Sequence, residues 1–156
     1  MSTSFFEQIS DALIGFLPAA SRGVSFRTSS RNLKVWFGEE SPEHFEVQLI
    51  GKTFLTRAGI RATGPMLEIG LHAEYPSATR NDAAIGRISE RSWRARLGKD
   101  PVAGAFIGRK EWRRISELWE APSDGEETAI EAAERLAQYI DAFAGQESGR
   151  ARRTKR

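Results

Sequence analysis

Apolar positions near the start of the chain recur every three or four places. Phe6, Ile9, Leu13 and Leu17 form a stripe that Phe5, Ala12 and Phe16 widen. That spacing predicts an amphipathic helix, capped by Ser2, Thr3 or Ser4 and stopped by Pro18. The period then changes to two. Val24 to Thr28 reads as a short strand, and residues 29–32 as a turn. In the next strand Leu33, Val35 and Phe37 face one way, Lys34 and Trp36 the other. Phe45, Val47 and Leu49 alternate with His44, Glu46 and Gln48. After a glycine-punctuated connection, Leu67, Ile69, Leu71 and Ala73 alternate with Glu68, Gly70, His72 and Glu74. One-sided alternation of this kind belongs to an antiparallel sheet with one covered face.

Past Pro76 the helical period returns over about residues 81–97, ended by Gly98 and Pro101. Residues 102–107 and 113–120 predict a hairpin through 108–111. Trp112, Ile115 and Trp119 also fit a helical spacing, and period alone does not settle so short a run. Ser123-Asp124-Gly125-Glu126 reads as a capping box for a last helix with Ile130, Ala133, Ala137, Ile140 and Ala144 on its buried side and Gly145 as its stop. The predicted order is α-β-β-β-β-α-β-β-α. It describes a single α+β domain over residues 1–145, with one mostly antiparallel sheet of four to six strands whose helices cover one face. A basic tail, 146–156, is expected to be disordered.

Composition narrows the classes. A chain of 156 residues, 40% hydrophobic, suits one domain with one core. The absence of cysteine removes disulfides, thiolate ligands and a cysteine nucleophile. No apolar run reaches the roughly 18–20 residues needed to cross a bilayer. The first helix carries Glu7 and Asp11 without a basic residue, unlike an export signal, so a cytoplasmic location with no membrane partner is expected. The net charge of +2 conceals segregation: residues 80–114 carry 10 basic and 4 acidic side chains, 115–149 carry 1 and 9, and 150–156 carry 5 and none. Such asymmetry points to a polyanion partner or to pairing between the blocks.

Two constellations could carry function. Arg80, Arg87, Arg91 and Arg94 would share a face of the second helix, and Arg109, Lys110, Arg113 and Arg114 bracket Trp112. Guanidinium groups pair with phosphates and a tryptophan stacks on an unpaired base, so this set suits nucleic-acid contact. The same side chains would equally serve a solvated or internally paired face. The second constellation is the polar side of the alternating strands. If those strands are neighbours, two imidazoles and up to three carboxylates converge; Glu46, Glu68, His72 and Glu74 are the candidate ligands for a divalent metal that activates water. Lys34 or Lys52 could meet a phosphate. A two-carboxylate-plus-lysine nuclease would need a lysine where Gln48 stands. Without convergence, the polar row is the wet side of a half-exposed sheet. No phosphate-cradling glycine motif and no nucleophile elbow occurs.

The Leu67-Glu68-Ile69-Gly70 strand, the Asn-led helix after it, the Arg114-Ile115-Ser116 hairpin and the closing helix carry a resemblance. Over about residues 66–143 this layout resembles a family of uncharacterised small bacterial α+β proteins and domains, some joined to nuclease or restriction modules. The resemblance implies a similar fold and a nucleic-acid setting, and transfers no functional residue. The favoured expectation is therefore a non-catalytic binding or accessory domain that touches nucleic acid through its arginines and needs no cofactor. A metal-dependent phosphodiesterase or nuclease is the alternative. A third reading is a homodimer or protein-partner surface built from Trp36, Phe54, Leu55 and Tyr75.

Overall fold

The computed structural model describes residues 3–21, 23–120 and 125–145. Helix α1 (Thr3–Phe16) and a 3-10 turn (Ala19–Ser21) lead into strands β1 (Val24–Thr28), β2 (Asn32–Phe37) and β3 (Glu43–Ile50). A short helix α2 (Lys52–Arg57) precedes β4 (Met66–Ala73). Helices α3 (Ala78–Ile85) and α4 (Glu90–Leu97) follow, then β5 (Val102–Phe106) and β6 (Arg109–Glu120). Helix α5 (Glu126–Ile140) closes the chain and runs into a π-helical turn, Asp141–Gly145. The six strands make one sheet in the order β1-β2-β3-β4-β6-β5, every neighbouring pair antiparallel.

The alternation of the strands builds the core on one face. Leu33, Val35, Phe45, Val47, Leu67, Ile69 and Ile115 lie buried beneath Phe5, Phe6, Ile9 and Leu13 of α1 and Ala129, Ala133, Leu136 and Ile140 of α5. Each fully buried Leu, Ile or Phe contributes roughly 1.5–3 kcal/mol, which makes this face the main source of stability.

Two elements depart from the pattern read in the sequence. The helix expected over 81–97 is two helices, because serine hydroxyls intervene. Ser77 caps α3 by accepting from the Arg80 amide, and α3 ends at Gly86; Ser89, in an extended conformation, caps α4 by accepting from the Ser92 amide. A capping hydroxyl offers the backbone a better local bond than continuation does. Helix α2 was not expected at all: it holds a single buried residue, Leu55, too little to show a period. Leu55 joins Ile50 and Ile107 in a small cluster with Met66 and Leu118 on the sheet's second face. It is thereby withdrawn from any surface patch.

Residues 113–120 are strand rather than helix, in a hairpin whose turn is Ile107–Gly108. Its register shifts between Ala105 and Phe106. Ser123 and Asp124 of the expected capping box lie outside the described residues, as does the 146–156 tail; the N-cap of α5 is Gly125, with no side-chain cap hydrogen bond. Among the described residues, no helix is long and apolar enough to cross a membrane.

Candidate metal centre

The second face of the sheet is not wet where β3, β4 and β6 meet. Glu68 and His72 are fully buried, and His44 and Glu46 nearly so, although all four point away from the apolar core. The cover comes from the far end of β5 and the start of β6. Phe106 meets the His72 ring edge-on with centroids 4.9 Å apart, and Trp112 packs on Phe106 at 5.8 Å.

Register makes the site. His44 and His72 are directly opposed across β3 and β4, and their rings meet edge-on at 5.5 Å. Each histidine is followed two residues on by a glutamate, Glu46 and Glu74, on the same side of its strand. Because the strands run antiparallel, the two glutamates flank the histidine rung from opposite ends. Glu74 lies just past β4 and is held there by its amide, which donates to the Pro42 carbonyl at 3.0 Å.

Four ligand atoms converge. His44 Nε2 is 2.9 Å from Glu46 Oε1 and 3.8 Å from Glu74 Oε2; His72 Nδ1 is 3.2 Å from each of the same two oxygens. Donor atoms bound to one tetrahedral zinc-type ion at about 2.0–2.1 Å stand roughly 3.3 Å apart. The set lies within 4.8 Å across all its pairs.

The far sides of both rings are engaged. His44 Nδ1 lies 3.3 Å from the Ser41 carbonyl, and His72 Nε2 is 2.8 Å from both oxygens of Glu68. Those partners only accept, so the outer nitrogens carry protons; His44 Nε2 and His72 Nδ1 face carboxylate oxygens and offer lone pairs to a metal only when the rings are neutral. This is the arrangement that orients metal-bound histidines, a carboxylate or carbonyl behind each imidazole. Glu68 is fixed in turn by Gln48 Nε2 at 3.0 Å, and the second oxygen of Glu46 accepts from Asn32 Nδ2 at 3.1 Å. Arg114 stands opposite His72 on β6, buried, its Nη1 donating to Ser116 Oγ at 2.9 Å. Its Nε has no partner among the described residues.

The electrostatics are those of a tightly coupled cluster. Burial alone would raise Glu46 and Glu68, but hydrogen bonds from His44 and His72 hold Glu46 far below the usual carboxylate range, and the charge of His72 lowers Glu68. Burial would lower His72, yet the charge of Glu68 and bonds to Glu46, Glu68 and Glu74 hold it well above its ordinary value. Burial lowers Arg114.

A cleft of about 410 Å³ opens over this cluster. Glu46 and Glu74 line it, with Lys34 directly across from Glu46 on β2. Arg31 and Arg109 add positive charge, and Phe54, Phe106 and Trp112 add aromatic walls. Phe54, on α2, reaches the hairpin turn at Gly108, where φ is +77° and an added Cβ would lie 2.3 Å from the Phe54 ring. Only glycine lets that ring close over the turn.

The structure brings together Glu46, Glu68, His72 and Glu74, with Glu68 behind His72 rather than in the convergent set. The residue that sequence reasoning left out of the ligand set is His44. The signal was present as a repeated His-X-Glu, 44–46 and 72–74, which pairs two ligands from each of two neighbouring strands.

The arginine set is dispersed. Arg80 on α3 stacks on Tyr75, Arg87 pairs with Glu43 between the helices, and Arg94 pairs with Glu90 while lying over Trp93. Arg91 is exposed on α4, whose axis is separate from that of α3. Arg113 binds Asp82 at 2.6 Å, and Arg114 is interior to the histidine–glutamate cluster. Arg109 lies over Trp112 at 4.6 Å, and Lys110 is exposed beside it. No protein-family model matches the chain, and searches of the curated proteins and of the solved structures found no match either.

Proposed function

We propose that the chain binds one divalent transition-metal ion through His44, Glu46, His72 and Glu74 and uses it to hydrolyse phosphate diesters in the cleft above. The observation that carries this reading is the convergence of the four donor atoms with both outer imidazole nitrogens already held. Charge supports it. Glu46, Glu68 and Glu74 against Arg114 leave the cluster two negative charges in excess. One divalent cation with neutral imidazoles would balance that excess. Buried ionic clusters gain little over an apolar core of equal volume, and such clusters at a cleft are a mark of functional sites.

Two nitrogen and two oxygen donors without sulfur suit zinc, manganese or iron(II) rather than copper(I). Of the four residues that would hold the ion, Glu46 and Glu74 line the cleft. An ion held by these four residues would lower the pKa of a water and so supply a nucleophile, and Glu74, the most exposed of the four, would be placed to take the proton. In such a hydrolysis the water oxygen would bond to phosphorus as the bond to the leaving alkoxide breaks, and the proton would pass to that alkoxide. Diester and water become monoester and alcohol. Lys34, Arg31 and Arg109 meet the charge that develops on the phosphoryl oxygens.

The reading of a binding module without chemistry has less support, since Arg87, Arg94 and Arg113 are engaged by Glu43, Glu90 and Asp82. The test is metal content and calorimetric titration of chelator-treated protein with Zn²⁺ and Mn²⁺, beside hydrolysis of bis(p-nitrophenyl) phosphate. The expected result is a single ion per chain and metal-dependent turnover, both lost in the double variant His44→Ala, His72→Ala. A chain that takes up neither metal overturns the proposal.

A further inference from the structure

Resting on that reading, we infer that the cleft takes a nucleoside phosphate with an unpaired base, stacked against Trp112 and Phe54, its phosphate between Lys34, Arg31 and Arg109 above the metal ligands. Three observations independent of the ligand set point there.

The first is the positive charge that lines the cleft. Arg27, Arg87, Arg94, Arg96, Arg113 and Arg135 each face a carboxylate. Among the described residues Arg31, Lys34 and Arg109 make no ion pair, Lys34 although it stands opposite Glu46 across β2 and β3. Lys34 is half-buried there, and Arg31 extends toward the mouth near Gly51. An oxyanion of phosphate would bridge these cations to the metal.

The second is the aromatic wall. Phe54 is 42% exposed although its ring also packs on the turn at Gly108. Trp112 is held edge-on by Phe106 and topped on one side by Arg109, which stiffens it as a platform. Flat, stiff and apolar beside cations is the composition that binds unpaired bases, because every base offers a π face and every link a phosphate.

The third is size. The cleft, at about 410 Å³, falls at the low end for small-molecule sites. Its volume suits one nucleotide unit, and Phe54 over Gly108 joins α2 to the hairpin turn along one wall. The substrate class is therefore a free nucleotide ester or one unit of a single strand, read without base specificity.

The experiment titrates the full chain with fluorescently labelled single-stranded oligodeoxythymidine and oligouridine, with the corresponding duplexes, and with unlabelled thymidine monophosphate as competitor. Each titration is run in Mn²⁺ and in chelator, and metal content is measured on the same samples. The basic tail is present in every sample, so comparison between variants removes its contribution. Single strands are expected to bind at least about tenfold tighter than duplexes. Trp112→Leu should weaken them roughly 5- to 100-fold, the range of one lost base stack, while retaining metal. Lys34→Gln and Arg31→Gln, both away from the core, should each weaken binding and flatten its salt dependence; they carry the test if Trp112→Leu melts early. Competition by the mononucleotide at concentrations near those of the strand identifies a free nucleotide as the ligand, and its failure to compete identifies a strand. A metal-loaded chain that prefers duplexes, or that binds single strands equally well with Trp112, Lys34 and Arg31 replaced, overturns this inference and leaves the metal reading intact. A chain without metal that still shows the Trp112-dependent preference overturns the metal reading alone.

Discussion

Replacing Gly70 by alanine tests whether the central strands are as close as the site requires. Gly70 lies in the middle of β4, opposite Glu46 on one side and Ser116 on the other. A Cβ there would sit 2.2 Å from the Ile115 carbonyl oxygen and 2.6 Å from both Cα and Cβ of Ser116. Ordinary contact begins at 3.4 Å, so β4 and β6 must part by about 1.2 Å, and both are held by ladders on their other edges. Overpacking of this kind costs about 1–3 kcal/mol, and with backbone as the obstacle the upper end applies. At roughly 2–4 °C per kcal/mol for a domain of this size, the midpoint should fall by roughly 6–12 °C. The sign is opposite to the usual gain of about 0.4–1 kcal/mol when a glycine with compatible geometry becomes alanine. Circular-dichroism melts and urea titrations of metal-free protein measure it. A variant as stable as the parent, or more so, would mean that β4 and β6 are not packed as described, and the covering of His72 and Glu68 by the hairpin would fall with it.

Other consequences follow from the same geometry. Glu68→Gln removes the carboxylate behind His72 and should lower metal affinity about 10- to 100-fold, read by competition with a chromophoric chelator; an unchanged affinity would show that His72 is not a ligand. Metal-free protein should be most stable between about pH 4.5 and 6.5. The contribution of His72, whose folded value is raised, is complete below its ordinary 6.5 and is lost as pH rises through the folded value. Those of Glu46 and Glu68, whose folded values are lowered, are complete above 4.5 and are lost as pH falls through theirs. Saturating Zn²⁺ should abolish the alkaline decline, since the metal then occupies Nδ1 of His72, and melting curves across pH with and without chelator decide it. Asn81→Ala deletes bonds to both the amide and carbonyl of Tyr75 and to the carbonyl of Glu111, and should cost roughly 2–4 kcal/mol in urea unfolding. Gly108→Ala should displace Phe54 with little loss of metal but a measurable loss of single-strand binding.

Much of this architecture is written in the alternation of the strands. Leu33, Val47, Ile69 and Ile115 announce a covered face, and the polar row opposite announces where chemistry would lie. What pattern could not show is that the polar row is also covered. That depends on Phe106 and Trp112 folding back through a register shift, and on Phe54 meeting Gly108, contacts between segments far apart in sequence. The split of α3 from α4 was hidden for a smaller reason. Ser89 reads as an ordinary helix residue until its hydroxyl is seen to claim the Ser92 amide. His44 escaped the ligand set because its relation to His72 is one of register, and alternation gives the face of a residue without its partner.

That polar row also bears on how the strands find one another. A slip of β4 by one residue against β3 would turn Glu68, His72 and Glu74 into the hydrocarbon beneath α1 and α5, and bring Leu67 and Ile69 among carboxylates. Burying even one unpartnered ion costs several kcal/mol. Mispaired sheets are thus rejected during folding by the very side chains assigned to bind metal, and the ligand row proofreads the pairing before any ion arrives.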